Sequence, residues 1–263
     1  MDLGLRDRVA MVAASSQGLG KAVAFGLARE GAKLALCSRN ADAIEAAAAE
    51  IRAETGSEVL ARPVDVTAYD QVRGFVQETV ARFGRLDICV ANAGGPPSKS
   101  FAETTVGDWQ AAVDLNLMST LYLARETLPL MQKRGWGRFI AITSVTVKQP
   151  VEGLILSNAV RSAVSGLIKT LANEYGPYNV LVNNVCPGYT ETARLQTLSQ
   201  RLAAAESVSV EAIRQRWAAQ APLRRLGQPD EFANLVVFLA SERSSYITGT
   251  SIAIDGGLTR GVY

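Results

Sequence analysis

The sequence predicts an α/β protein, one doubly wound domain in which a parallel sheet carries helices on both faces. Two observations point there. Short β-branched or apolar runs alternate along the chain with longer stretches whose apolar positions recur at helical spacing. No Pro/Gly/Ser-rich linker or repeat period divides the 263 residues, a length that a single large α/β domain can use in full.

The elements follow in order. Val9–Ala13 reads as the first strand and Leu19–Glu30 as the first helix, with Gly31 where that helix stops. Lys33–Cys37 and Ala41–Thr55 form the next pair, closed by Gly56; Val59–Val64 and Asp70–Phe83 form the third, closed by Gly84. Glycine sits at such ends because it enters the left-handed conformation without a Cβ penalty. Leu86–Ala91 is the fourth strand, followed by one long helix, Asp108–Lys133. Arg138–Thr143, the helix Asn158–Tyr175 and the strand Leu181–Cys186 come next. Residues 190–221 are helical in composition but polar, and are read either as a substrate lid or as an ordinary surface helical pair. Pro229 opens the last helix, Pro229–Ser241, with Asp230 and Glu231 where the helix dipole favours acids, and Ser251–Ile254 is the last strand. Repeated strand–helix–strand order implies right-handed crossovers.

Composition excludes several functions. The chain has no histidine, which removes Ser-His-Asp and Cys-His catalysis, His-ligated metals and an imidazole pH switch. No metal site is expected. Lys plus Arg number 27 against 25 Asp plus Glu, so a net charge of +2 gives no reason to expect nucleic acid or an acidic membrane. Cys37, Cys89 and Cys186 are odd in number and set in apolar runs, as buried hydrophobes in a reducing compartment are. Met1–Arg8 lacks an apolar signal core, and no apolar run approaches the roughly 18 residues that span a bilayer. A cytoplasmic protein is expected.

The first strand–helix turn carries chemistry. It reads Ala13-Ala14-Ser15-Ser16-Gln17-Gly18-Leu19-Gly20. Glycines there let the backbone turn sharply and approach a pyrophosphate that faces a helix N-terminus. The second strand runs into Ser38-Arg39-Asn40, with no acid to hold a ribose 2′-hydroxyl. Arg39 offers instead a planar fork suited to a 2′-phosphate, so NADP(H) is expected over NAD(H).

These residues, with four later motifs, resemble the short-chain dehydrogenase/reductase family, particularly members similar to 3-oxoacyl-acyl-carrier-protein reductases, across essentially the whole chain. Asp65 in Val64-Asp65-Val66 matches the family's adenine-contacting acid, and Asn92-Ala93-Gly94 its turn after the fourth strand. Pro187-Gly188, with Thr190 and Thr192 beyond it, looks like the nicotinamide-side motif, in which Thr192 meets the carboxamide. Ile247-Thr248-Gly249 and Asp255-Gly256-Gly257 match the C-terminal signature. The resemblance implies a Rossmann domain with a seven-stranded parallel sheet in the order 3-2-1-4-5-6-7. It also implies a homotetramer packed through the Asp108–Lys133 and Asn158–Tyr175 helices and the C-terminus. At the glycine turn the chain departs from the family's Thr-Gly, having Ala13-Ala14; Ala14 replaces glycine comfortably only if its backbone avoids positive φ.

Carbonyl reduction needs a held hydride donor, a hydrogen-bond donor for the developing alkoxide and a proton source. In the family these roles fall to Asn, Ser, Tyr and Lys, the last two spaced Tyr-x-x-x-Lys on one helical face. Asn116 and Ser144 match the first two. The tyrosine and lysine positions hold Ser157 and Arg161, and no tyrosine occurs between Tyr122 and Tyr175. Arg161 keeps a charge that can grip ribose but cannot relay a proton as lysine does. Ser157 either binds the reacting oxygen or caps a helix beginning at Asn158. Three substitutes stand in for the missing acid: Lys148, Tyr189 and, more weakly, Glu152. Lys148 reads as a proton source or a solvated cation, and Tyr189 as a donor or a pocket wall.

The expected function is an oxidoreductase that transfers hydride between NADP(H) and a carbonyl or secondary alcohol, with Ser144 and Ser157 on the oxygen and Lys148 supplying the proton. Two alternatives stand beside it: a lyase, dehydratase or isomerase with retained cofactor, and a protein that binds NADP(H) without turnover. Gly94–Pro97, Val147–Leu154 and Tyr189–Leu202 are expected to wall a pocket holding Lys148 and Arg194, cations suited to an acidic or acyl small-molecule substrate.

Overall fold

Seven apolar runs pair side by side in the computed structural model, which describes residues 2–262. They are β1 (Val9–Val12), β2 (Lys33–Ser38), β3 (Val59–Pro63), β4 (Ile88–Ala91), β5 (Gly137–Ile142), β6 (Val180–Pro187) and β7 (Ser251–Ile254). All neighbours are parallel, in the order β3-β2-β1-β4-β5-β6-β7. This is the single Rossmann-type domain and the strand order that the sequence predicted.

Burial on both faces explains the composition of the strands. Ala10 and Val12 pack with α1 (Gly18–Arg29), α2 (Ala41–Thr55) and α9 (Pro229–Ala240) on one side of the sheet. Val9 and Met11 pack on the other side with α3 (Tyr69–Phe83), α5 (Ser119–Arg134) and α6 (Ile155–Tyr175). With no face left to water, β1 and β4 read as continuous apolar runs instead of alternating with polar residues, whereas edge strand β3 ends in exposed Arg62 and Pro63. The three cysteines are buried and unpaired, as expected. The helix ends also follow the sequence: Gly56 and Gly84 cap α2 and α3 in the left-handed conformation.

Three elements differ from expectation by more than one residue. The stretch read as one helix over Asp108–Lys133 is α4 (Val106–Ala112), a π-helical segment at Val113–Met118, and then α5. Strand β4 starts at Ile88; fully buried Asp87, just before it, binds Arg85 and the amide of Val9 through its carboxylate. Helix α6 begins at Ile155, so Ser157 lies inside the first turn and is not the cap of a helix starting at Asn158. Residues 190–221 fold into α7 (Ala193–Glu206) and α8 (Val210–Gln220), joined by a small core of Leu195, Ala203, Ile213 and Trp217.

The sheet order reverses at β1, which lies between β2 and β4. Chain leaving those strands at their C-terminal ends diverges to opposite faces and opens a crevice there. Among the described residues no helix is long and apolar enough to cross a membrane, and no cluster of three or more metal-ligating side chains occurs.

Candidate active site

The crevice is built first from the turn after β1. The Ala13 amide donates to Val90 O at 3.1 Å and the Ser15 amide to Cys37 O at 3.0 Å, fastening the turn to both neighbouring strands. Buried Ser15 also donates its hydroxyl to Val12 O. Ala14 sits at φ 47°, so it does not meet the condition under which alanine replaces glycine without strain. The left-handed region costs a non-glycine residue about 1–2 kcal/mol, which the surrounding bonds offset. Chief among those bonds is the Asn92 side-chain amide, which donates to Ala14 O at 3.2 Å. A Cβ on Gly20 would lie 2.4 Å from the same carbonyl oxygen, so only glycine fits there.

The N-terminus of α1 fits a phosphate. Its cap, Gln17, is extended and makes no side-chain capping bond, and no acid occurs in the first turn. The amide groups of the first turn are therefore left for an anion drawn by the helix dipole. Ser16, Gly18 and Leu19 are half-buried around it. After β2, Ser38 donates to Asn40 O at 3.0 Å, Asn40 caps α2, and Arg39 is exposed. Asp65 accepts from the Thr67 amide and hydroxyl at 2.9 and 2.8 Å. Those bonds, with Arg39 nearby, hold its carboxyl below the usual value. Val66 is buried beside it, and Asn92 and Ala93 line the adjoining turn.

The π-helical segment delivers Asn116. Its side-chain amide donates to Gly94 O at 2.8 Å, while its Oδ1, buried, has no hydrogen-bond partner among the described residues. An unpaired buried acceptor costs about 1–3 kcal/mol, a cost that a bound donor would remove. π-turns recur where a functional side chain must be re-aimed.

Ser144 and Ser157 are brought together, through a residue that the sequence reading missed. The Thr146 amide donates to Ser144 Oγ at 3.2 Å, and the Thr146 hydroxyl lies 3.2 Å from Ser157 Oγ. The run of hydroxyl residues Thr143-Ser144-Val145-Thr146 was the available signal. Arg161, one turn along α6, points beneath this cluster. Its guanidinium donates to Thr143 O at 2.7 Å, Ile142 O at 3.2 Å and Gly94 O at 3.4 Å. Burial, with the nearby charge of Arg194 adding to it, pushes its pKa down to about 10. Arg161 thus straps the end of β5 to the loop after β4.

The three substitute acids differ in their surroundings. Lys148 is half-buried just after the turn Val145–Val147, with no ion pair among the described residues. Tyr189 stacks on Trp217, ring centres 5.1 Å apart and 13° from parallel, and burial raises its hydroxyl pKa, making it a weaker acid. Glu152 is exposed. On the far wall, the Gly188 amide donates to Ile254 O beside Pro187, and buried Thr190 bonds Gly188 O. Thr192 caps α7 through the Leu195 amide and faces Gly18.

Comparison with known proteins agrees with this fold. Residues 13–259 match the Enoyl-(Acyl carrier protein) reductase family. The 3-oxoacyl-acyl-carrier-protein reductase FabG of Aquifex aeolicus is 33% identical over 258 residues, covering 98% of this chain and 100% of the relative. The human dehydrogenase/reductase SDR family member 4 is 33% identical over 254 residues, covering 96% and 88%. Among solved structures, L-sorbose reductase from Gluconobacter frateurii, complexed with NADPH and L-sorbose, superposes with a TM-score of 0.95 at 33% identity, covering 100% of both chains. An actinorhodin polyketide ketoreductase variant with NADPH gives 0.93 at 30% identity, covering 97% and 98%.

Proposed function

The chain belongs to the short-chain dehydrogenase/reductase family, and from that premise we propose that it is an NADP(H)-dependent oxidoreductase acting on a carbonyl or secondary alcohol, with a proton donor other than tyrosine. The observation that carries this reading is the hydroxyl cluster Ser144–Thr146–Ser157, standing at the end of β5 on the same crevice edge as the uncapped N-terminus of α1. NADPH-bound solved structures of this shape support the cofactor, and exposed Arg39 with no competing acid in its loop supports the 2′-phosphorylated form.

When bound, NADP(H) supplies or receives the hydride. Ser144 accepts from the Thr146 amide, which leaves its own O–H free to donate to the substrate oxygen. Ser157, linked to the Thr146 hydroxyl, donates beside it, and Lys148 delivers the proton to the alkoxide, directly or through a water molecule. Arg161 spends its guanidinium on three carbonyls; it shapes the floor and adds positive charge where negative charge develops. Asn116 Oδ1 offers an acceptor to a donor held in the crevice, and α7–α8 covers the substrate as a lid.

The replacement of the family's tyrosine favours a second reading, a lyase, dehydratase or isomerase with retained cofactor. A reductase consumes NADPH in step with product over a carbonyl panel; a lyase turns over with no net absorbance change. Stabilisation by NADPH without turnover on any substrate would identify a binding protein instead. Lys148→Met is expected to lose at least tenfold in kcat, and full turnover in that variant would rule out the proton role of Lys148.

We also assign the chain to the cytoplasm, on its three buried free thiols, and to a homotetramer. Exposed Phe101 and Val106 beside α4 support the assembly, which light scattering of the purified protein tests.

A further inference from the structure

Arg194, one of the two cations expected in the substrate pocket, takes no part in the proton chemistry of the serines and Lys148. Arg194 stands in the first turn of α7 and reaches across to the loop after β4, where its Nη2 donates to Pro96 O at 2.9 Å. The guanidinium lies flat over Gly95. A Cβ built there would meet Nη2 at 2.6 Å, Cζ at 2.7 Å and Nε at 2.9 Å, so the approach depends on glycine.

Arg194 is exposed, so water reaches its charge, and no carboxylate among the described residues pairs with it. Pro96 O is a neutral acceptor that uses one of the five guanidinium hydrogens, and no ion pair of Arg194 occurs among the described residues. The acids of the adjoining elements are committed elsewhere or face water. Glu191 pairs with Arg214, Asp255 accepts from Gly257 and Thr259, and Glu152 is exposed. Buried Arg161 lies close enough for the two positive charges to oppose each other, and it too has only carbonyl partners. A buried guanidinium and an exposed one, with no carboxylate between them, leave a positive site open to solvent, where the planar fork of Arg194 can pair with a ligand carboxylate.

We propose that Arg194 is a specificity-determining residue that binds a carboxylate carried by the carbonyl substrate, so that the preferred substrates are oxo acids. The proposal rests on the oxidoreductase reading for its turnover and on the crevice alone for its ligand class. The cofactor pyrophosphate is the competing anion, but the two ends of this segment face different ways. Thr192 turns toward Gly18 and the α1 N-terminus, whereas Arg194 turns toward Gly95 and Pro96 on the opposite wall.

The test uses matched pairs, short-chain 2-, 3- and 4-oxo acids and their methyl esters, with NADPH and purified protein. The acid of the preferred pair is expected to exceed its ester by about tenfold in kcat/KM, through KM, the size of one charge-assisted contact. Arg194→Met should collapse that ratio to about one while the dissociation constant of NADPH changes by less than about twofold. Gly95→Ala, which retains the charge but displaces the guanidinium, should reduce the ratio in the same direction. A wild-type ratio near one throughout the panel, or a ratio that survives in Arg194→Met, overturns the proposal. So does a large rise in the NADPH dissociation constant of Arg194→Met with the ratio unchanged, which would assign the arginine to the cofactor. Calorimetry of the same acids and esters with the protein–NADP complex separates the two readings. Acid-selective binding lost in Arg194→Met, without turnover, sustains the ligand class while the oxidoreductase reading fails.

Discussion

The hydroxyls of Thr146 and Ser157 lie 3.2 Å apart and join the turn after β5 to the first turn of α6. Thr146 also holds Ser144 by its amide, so one side chain and its own backbone orient both serines proposed to bind the substrate oxygen. Thr146→Val removes the hydroxyl link and leaves the amide in place. Its kcat is expected to fall by about tenfold, equivalent to about 1.4 kcal/mol, with NADPH affinity little changed. Thr146→Ser should restore the rate. Steady-state kinetics on an identified substrate checks both, and equal rates for the valine and serine variants would deny the hydroxyl its positioning role.

Ala14→Gly should stabilise the protein. Removing the left-handed strain gains about 1–2 kcal/mol, and the added freedom of glycine in the unfolded chain returns about 0.4–1 kcal/mol of it. A net gain of about 0.5–1 kcal/mol, read as a higher urea midpoint at constant m-value, is the expected outcome.

Arg39→Asp should raise the dissociation constant for NADPH by at least about tenfold while NADH changes little or binds more tightly. Fluorescence titration with both cofactors measures the two constants. An equal change in both would defeat the 2′-phosphate assignment.

Acid stability should weaken through two carboxylates, half-buried Asp108 and exposed Glu231. Asp108 is held down to about 2 by Lys99 and the Thr105 amide, and Glu231 to about 2 by Arg225 and the Gln228 amide. Their ordinary values are 3.8 and 4.5, so the unfolded chain takes up these protons first. The stabilisation is present above that range and is lost as pH falls from about 4.5 through about 2. Asp108→Asn combined with Glu231→Gln should flatten the thermal-melting curve against pH in that window, and an unchanged slope would refute the assignment.

The sheet was legible because a parallel strand buried on both faces must be apolar throughout, and the seven runs were continuous enough to find. The turns were legible where a residue type has one backbone use, as at Gly56 and Gly84. Asn116, Ser144, Ser157 and Arg161 were found by position, but their partners were not. That Arg161 would spend its donors on Ile142, Thr143 and Gly94 depends on three backbone segments meeting in space. The conformation of Ala14 was not legible because local preference opposes it, and the bonds from Asn92 and the neighbouring strands make it hold. The break at Val113–Met118 left no mark in the apolar spacing, since both flanking helices keep their own buried faces.

That break acts as a phase shifter. Each residue of an α-helix advances about 100° around the axis, so a π-turn, holding one residue more, offsets everything before it from everything after. Ahead of the offset, Asp108 on α4 anchors Lys99 and with it the loop from β4; behind it, Leu123, Leu128 and Met131 on α5 stay seated on the sheet. Deleting a single residue within Val113–Met118 would restore an unbroken helix and swing α4 by about 100° around it. The loop carrying Gly94 and Gly95 would be dragged from the crevice while α5 and the sheet stayed where they are. In this family member the angular position of the cleft's front wall is therefore encoded by the count of residues between two helices, independently of which residues they are.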